Sequence, residues 1–288
     1  MNSKTEKIHW QRRGERPILQ ERQTDGVPYL VYTHLEESGL VRHGFSTRLG
    51  GVSMGCCASM NLSVRDGDTQ ENVTENYRRM ACALGVDPER LVLSAQTHTT
   101  NVRRVTEADA GKGFCRERDY TDVDGLITDV PGLTLVTHYA DCVPLFFLDP
   151  VHRAIGLSHS GWRGTVGRMG QVTLAAMKEA FGTHPEDVLA AIGPSICRDC
   201  YEVSEDVAEA FRGIFPEEVW PEIMDEKGSG KYQLDLWAAN RRILLDAGVQ
   251  EKNLQVTDLC TSCNARWLFS HRASGGHRGT LGAFLGLK

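Results

Sequence analysis

No stretch of this 288-residue sequence stays apolar for the roughly 20 residues needed to span a bilayer; the strongest run, Val143 to Leu148, falls far short. The opening MNSKTEKIHWQRRGER is positively charged but has no apolar segment behind it, so it lacks the pattern of a secretory signal, and the cytoplasm is the expected compartment. Positive charge is not in excess either. Lys and Arg number 32 against 38 Asp and Glu, a net −6, which argues against holding nucleic acid or anionic lipid through bulk charge, because both need a positive field that releases counterions. Internal repeats, low-complexity tracts and Pro-rich or Gly/Ser-rich linkers are missing, and there is no Walker-type loop or GxGxxG to cradle a phosphate. Nine cysteines form an odd set in a chain long enough to be stable without staples. A disulfide framework is therefore not expected, and the thiols should serve metal or thiol chemistry or simply be buried.

What is present is an ordinary globular composition, 41% hydrophobic and 24% charged. At this length folding buries about three quarters of the unfolded chain's surface. One compact catalytic domain is expected over residues 26–288, behind a loose tail over residues 1–25. Three helices carry their own start and stop signals. Asp68 and Glu71 open the first, Val73, Tyr77, Met80 and Leu84 fall at helical spacing, and Gly85 ends it. After Thr165, Met169, Val172, Ala176 and Ala180 form a stripe with Leu174, Met177 and Phe181 beside it. Leu236, Ala239, Ile243 and Ala247 share the face of the third. Strands are predicted at Tyr29–Tyr32, Leu91–Ser94, Leu133–Thr137, Val143–Leu148, Ala154–Leu157, Val188–Ile192, Leu254–Thr257 and Trp267–Phe269. Strands follow one another through the middle without β-α-β alternation, so the predicted class is α+β, with mixed β-sheets flanked by helices.

Reactive residues gather just beyond these strands. Gln96-Thr97-His98 follows one apolar run, Tyr139-Ala140-Asp141-Cys142 separates two more, and Ser158-His159-Ser160-Gly161-Trp162-Arg163-Gly164 leads from a strand into a helix. His98, Cys142 and His159 are a set of N and S donors of the kind that holds a catalytic zinc and leaves its fourth position open. Their spacing matches no short ligand motif, so residue types alone leave a shared metal site and satisfied buried side chains both open. A metal-free alternative makes Cys142 a nucleophile with His159 or His98 as its base, giving a hydrolase. Cys197-x-x-Cys200 and Cys260-x-x-Cys263 imitate a four-cysteine zinc site, but 59 residues separate the pairs, against about 15 to 20 in the usual motif; buried or free thiols are expected. His184-Pro185-Glu186 lacks the proline directly before Cys197 that a cytidine-type deaminase signature requires, and is read as a short turn.

Arg42-His-Gly-Phe-Ser-Thr-Arg-Leu-Gly-Gly-Val-Ser53, Asn61-Leu-Ser63, Gln96-Thr-His98, Asp124-Gly-Leu-Ile-Thr128, Ala140-Asp-Cys142, His159-Ser-Gly-Trp-Arg-Gly164, Ile192-Gly-Pro-Ser195, Tyr201-Glu-Val203 and Phe269-Ser-His-Arg272 occur in this order. In them the chain resembles the YfiH-type laccase-domain family over about residues 40 to 280. The resemblance implies an α/β/β/α layered sandwich and a zinc-dependent purine nucleoside phosphorylase acting on adenosine, inosine and methylthioadenosine with inorganic phosphate, with adenosine deamination as a further activity. It implies His98, Cys142 and His159 as metal ligands and His43, Arg48 and Arg163 as pocket residues.

For phosphate, Arg48 with Ser46 and Thr47, and Arg163 with Ser160, are the candidates. His43 and Asp141 are the candidate proton donors. Each has a plainer alternative: the arginines on carbonyls or carboxylates, Asp141 orienting a turn or an imidazole, His43 in a turn. Tyr201-Glu202 and His271-Arg272 are expected to be structural. Met60 and Thr99 stand where leucine and glycine are usual in the family, and Thr99 is expected to narrow the entrance. The family is also described as laccase-like, which raises a copper-dependent polyphenol oxidase as an alternative. None of the ten histidines stands in a His-x-His pair, which speaks against a copper cluster, although a single copper suits a His2Cys set.

Overall fold

In the computed structural model of the chain, residues 8–14, 16–64 and 67–288 are described. Fifteen strands and seven α-helices are found among them and are numbered along the chain. One sheet runs β1 (Leu19–Thr24), β2 (Val27–Tyr32), β3 (Val41–Ser46), β15 (Leu281–Leu287), β7 (Thr134–Tyr139) and β4 (Leu91–Leu93). Its pairs are antiparallel except β4 with β7. The second runs β14 (Leu254–Val256), β10 (Leu189–Ile192), β8 (Val143–Asp149), β9 (Ala154–Ser160), β6 (Gly125–Thr128) and β5 (Val102–Arg104). Its outer pairs are parallel and its inner ones antiparallel. A small antiparallel sheet joins β11 (Glu202–Ser204), β13 (Lys231–Leu234) and β12 (Met224–Gly228).

Alternation along the strands sorts side chains into layers. From β8, Val143, Leu145 and Phe147 pack with Leu174 and Met177 of α4 (Met169–Phe181) and with Ile243 and Leu244 of α7 (Leu236–Asp246). Phe146 and Leu148 face the other way, onto Leu135 of β7 and Ala283 and Leu285 of β15. Val136 and Phe284, on the far side of the first sheet, meet Val73, Tyr77, Met80 and Leu84 of α2 (Gln70–Leu84). The result is helix, sheet, sheet, helix: the α/β/β/α sandwich. Phe146 fills the space between the sheets, and cutting it to alanine would cost about 3–5 kcal/mol. Shorter helices α1 (Thr33–Glu37), α3 (Trp162–Val166), α5 (Glu205–Arg212) and α6 (Trp220–Ile223) fill connections. Among the described residues no helix is long and apolar enough to cross a membrane.

Several local expectations need correction. The region 1–25 is not loose in its described part: β1 pairs along its length with β2, Arg12 pairs with Asp258, and Trp267 Nε1 donates to the His9 carbonyl at 3.1 Å. Its polar sequence hid a strand that buries Leu19 and little else. Residues 1–7 and 15 lie outside the described residues. The first helix is capped by Thr69, whose side chain accepts from Asn72 N, one residue after the expected start. The stripe after Thr165 lies whole in α4 (Met169–Phe181), which starts later than Thr165 because Gly167 and Arg168, at φ +55°, separate it from α3. Trp267–Phe269 is no strand: it belongs to a buried turn in which Trp267 N and Leu268 N both donate to the Asn264 carbonyl.

Candidate active site

The second sheet delivers its reactive residues to one end. β8 starts there, β9 finishes there beside it, and the loop before β6 returns there, because Val143 pairs with Ser160 and Gly125 with Ser158. Cys142 immediately precedes β8, His159 is the penultimate residue of β9, and Asp124 immediately precedes β6. His98 arrives from the loop after β4, which is pinned by a bridge between Ala95 and Val123. Two residues here have left-handed backbones, His98 at φ +67° and Asp141 at φ +86°, and such strain in non-glycine residues concentrates where structure must hold a functional geometry.

One ligand-capable atom from each of His98, Cys142 and His159 falls within 4.8 Å of the others, with Cys142 Sγ 4.0 Å from His98 Nε2. A tetrahedral zinc with bonds of about 2.0–2.3 Å sets its ligands about 3.3–3.8 Å apart, so a slight contraction lets the three share one ion. Gly161 allows this approach: a Cβ there would lie 3.0 Å from Cys142 Sγ and 3.2 Å from His98 Cδ2.

Asp124 organises the group. Its Oδ1 lies 2.7 Å from His159 Nδ1 and accepts from His98 N, and its Oδ2 accepts from Thr97 N and Thr99 N. A proton held on His159 Nδ1 leaves Nε2 with its lone pair for a metal. Burial would raise the Cys142 thiol, but the facing histidines bring it down to about 6. Burial would lower the His159 imidazole, but Cys142 and Asp124 lift it to about 9. Asp124 itself, despite burial, is held at about 2 by His159 and the backbone amides. The site thus favours a thiolate beside positive charge, the condition a bound cation would also impose.

A cavity of about 110 Å³ opens in front of this group, with His98, Cys142 and Asp141 on one side and Trp162, Arg163, Ile196, Tyr201 and Leu236 around it. Arg163 is exposed, with its guanidinium carbon 4.2 Å from the Trp162 ring centroid. Asp141 sits in the wall with both oxygens engaged: Oδ1 accepts from Thr261 Oγ1 at 2.6 Å and Oδ2 from Arg272 N at 2.7 Å.

The other expected site residues lie elsewhere or do other work. His43 is on β3, buried against Phe146, and its Nε2 accepts from Tyr32 N; burial presses its pKa down to about 3, so it is neutral and holds two strands together. Arg48 donates to the carbonyls of Ala58 and Ala265 and lies over Phe269. Ser46 and Thr47 are likewise occupied, by Gly282 N and the Pro28 carbonyl, and Ser160 bonds Asn240 of α7. Thr99 turns to Asp124 and does not line the cavity. Of the phosphate candidates, Arg163 remains. Sequence reasoning does not reach the aliphatic wall, Ile196 and Leu236, nor two polar residues. Tyr201, taken as structural, forms part of the wall, and Asp124 was visible only as the first residue of a strand motif.

The chain is thus a layered sandwich with a carboxylate-braced His2Cys group, able to hold a metal ion, beside an open cavity. A family model described as multi-copper polyphenol oxidoreductase laccase matches residues 42–288, and the chain belongs to this family, in its YfiH-type laccase-domain form. The chain is 38% identical over 247 residues to "Purine nucleoside phosphorylase YlmD" of Geobacillus stearothermophilus, covering 84% of this chain and 89% of that protein. It is 34% identical over 233 residues to "Adenosine deaminase RL5" from an unknown prokaryotic organism, covering 80% and 88%. The crystal structure of the Bacillus licheniformis hypothetical protein YfiH superposes with a TM-score of 0.87 at 32% identity, over 93% of this chain and 99% of that one.

Proposed function

We propose that the chain is a zinc-dependent purine nucleoside phosphorylase that cleaves adenosine, inosine and methylthioadenosine with phosphate, and that the same site deaminates adenosine. The observation that carries this reading is the meeting of His98, Cys142 and His159 beside a cavity whose other walls are aromatic, aliphatic and, at Arg163, cationic. When bound there, zinc supplies a Lewis-acidic centre that polarises what it touches. Asp124 fixes the His159 tautomer and, through three backbone amides, the loop that carries His98. Trp162, Tyr201, Ile196 and Leu236 offer a planar purine apolar surface and exclude water. Arg163 presents a donor fork suited to a phosphate dianion. Asp141, its lone pairs committed to Thr261 and Arg272, is a positioning residue that sets the turn before Cys142. The multicopper chemistry in the family's description finds no His-x-His pair in this chain.

A second reading rests on the order Cys142, His159, Asp124, which is also what a cysteine nucleophile with an oriented base would need. The two readings separate by experiment. With zinc, release of hypoxanthine from inosine requires phosphate, stops on chelation, and is lost in Cys142→Ala, His159→Ala and His98→Ala, each with loss of one metal equivalent. Turnover that survives chelator and His98→Ala selects the nucleophile, and full phosphate-dependent turnover by Cys142→Ala defeats both.

A further inference from the structure

The two Cys-x-x-Cys pairs, set aside above for their separation in sequence, are brought together by the fold. β10 and β14 are adjacent and parallel, so the chain leaves the sheet at the same end from both. The pairing carries on past the strands: Thr257 N donates to the Ile192 carbonyl, Ser195 bridges Cys260, and Thr261 N donates to the Ser195 carbonyl. Cys197 and Cys200 flank a single 3-10 turn, in which Cys200 N donates to the Cys197 carbonyl. Cys260 and Cys263 flank the facing turn.

The four Sγ atoms lie within 4.8 Å of one another, with Cys200 and Cys263 at 3.5 Å. About 3.8 Å is the edge of a tetrahedron of sulfurs around zinc at a bond length of about 2.3 Å. The surroundings are those of thiolates. Cys260 Sγ accepts from Cys197 N at 3.2 Å and from Cys263 N at 3.4 Å. Arg13 reaches over from the N-terminal segment, its Nη2 donating to Cys197 Sγ at 3.4 Å and Cys263 Sγ at 3.6 Å, while Nη1 pairs with Asp199. Four thiolates around a divalent ion carry a net charge of −2, and N–H donors with one guanidinium are the partners that offset it.

We propose that Cys197, Cys200, Cys260 and Cys263 bind one zinc ion in a closed tetrahedral site that is structural and separate from the active site. Binding displaces the thiol protons to solvent and involves no change of oxidation state. The ion fastens the two turns to each other and so holds the cavity's rear wall: Ile196 precedes Cys197 and donates its N–H to the Asp141 carbonyl, Thr261 follows Cys260 and donates to Asp141 Oδ1, and Tyr201 follows Cys200. The site stands whether or not the reaction proposed above is the right one.

The test is metal analysis of the full chain purified without chelator. Two zinc equivalents per chain are expected, with one retained by Cys142→Ala and one lost in Cys200→Ser/Cys263→Ser. Because the double variant is liable to misfold, native alkylation of the wild-type chain followed by mass analysis gives an independent readout. Exposed Cys82 and Cys115 should react at once, while the half-buried Cys200 and Cys263 stay protected until a strong chelator removes zinc and frees their thiolates. Prompt alkylation of Cys200 and Cys263, a disulfide between them, iron in place of zinc, or a metal content that Cys142→Ala reduces to zero would each overturn the proposal.

Discussion

Two thiol-bearing clusters lie at the same end of the second sheet, and they differ in what surrounds the sulfur. The first has one sulfur and two imidazoles, an exposed histidine, a cavity in front and a carboxylate behind. The second has four sulfurs whose neighbours are backbone N–H groups and an arginine. A carboxylate behind an imidazole makes a nitrogen ligand more basic and leaves room for exchange on the open side, whereas N–H groups around sulfur spread charge and close the shell. The same ion in the two places would do opposite things: one site presents it to solvent, the other withdraws it.

That contrast can be broken most decisively on stability. Cys197→Ser/Cys260→Ser should cost about 4 kcal/mol or more, as loss of a structural metal does, read as a fall in the urea midpoint. Cys142→Ala should barely shift that midpoint while abolishing nucleoside cleavage. Equal midpoint shifts in the two variants would erase the distinction. Asp124→Asn tests the carboxylate brace. Metal affinity at the open site should drop about 10–100-fold, as losses of such outer partners do, with the metal of the four-cysteine cluster unchanged in a competition titration. Arg163→Ala should raise the KM for phosphate about tenfold with both metals retained, and Arg163→Lys should recover part of it; an unchanged phosphate KM removes the arginine from the anion site.

A further effect is in pH, and it bears on the frame that carries both clusters. His43 has a folded pKa near 3 against about 6.5 unfolded. Its neutral, buried state therefore contributes full stability above about pH 6.5, and the contribution is lost progressively as pH falls towards 3, at no more than about 1.4 kcal/mol per pH unit. In urea melts of the wild type and His43→Asn between pH 4 and 7, the variant should show the shallower acid limb.

Much of the open site was legible because its residues interrupt apolar runs: His98 and His159 follow the apolar residues of runs that became β4 and β9, and Cys142 stands just before the run that became β8. The layers were legible for the same reason, and their order came from the family resemblance. What was hidden depended on partners distant in sequence. Arg48 stayed open between phosphate and backbone carbonyls because its acceptor at Ala265 is far along the chain, and Asp124 looked like a strand's first residue because its donors, from Thr97 to Thr99 and from His159, meet it only after folding. The cysteine pairs were discounted by a spacing rule for local zinc loops, which a parallel strand pair makes irrelevant. β15 escaped notice because Gly282 and Gly286 break its apolar alternation. Both glycines are required by closeness: a Cβ at Gly282 would sit 2.7 Å from Leu62, and one at Gly286 would sit 2.5 Å from Thr134 Oγ1.

That strand, the last of the fifteen, sits between β3 and β7 in the middle of the first sheet. Until the ribosome has released residues 281–287, the sheet is two separate halves with raw inner edges, and the aromatic filling between the layers has only part of its lid. Synthesis order and assembly order therefore run against each other here, because the two halves of this sheet meet only through residues 281–287.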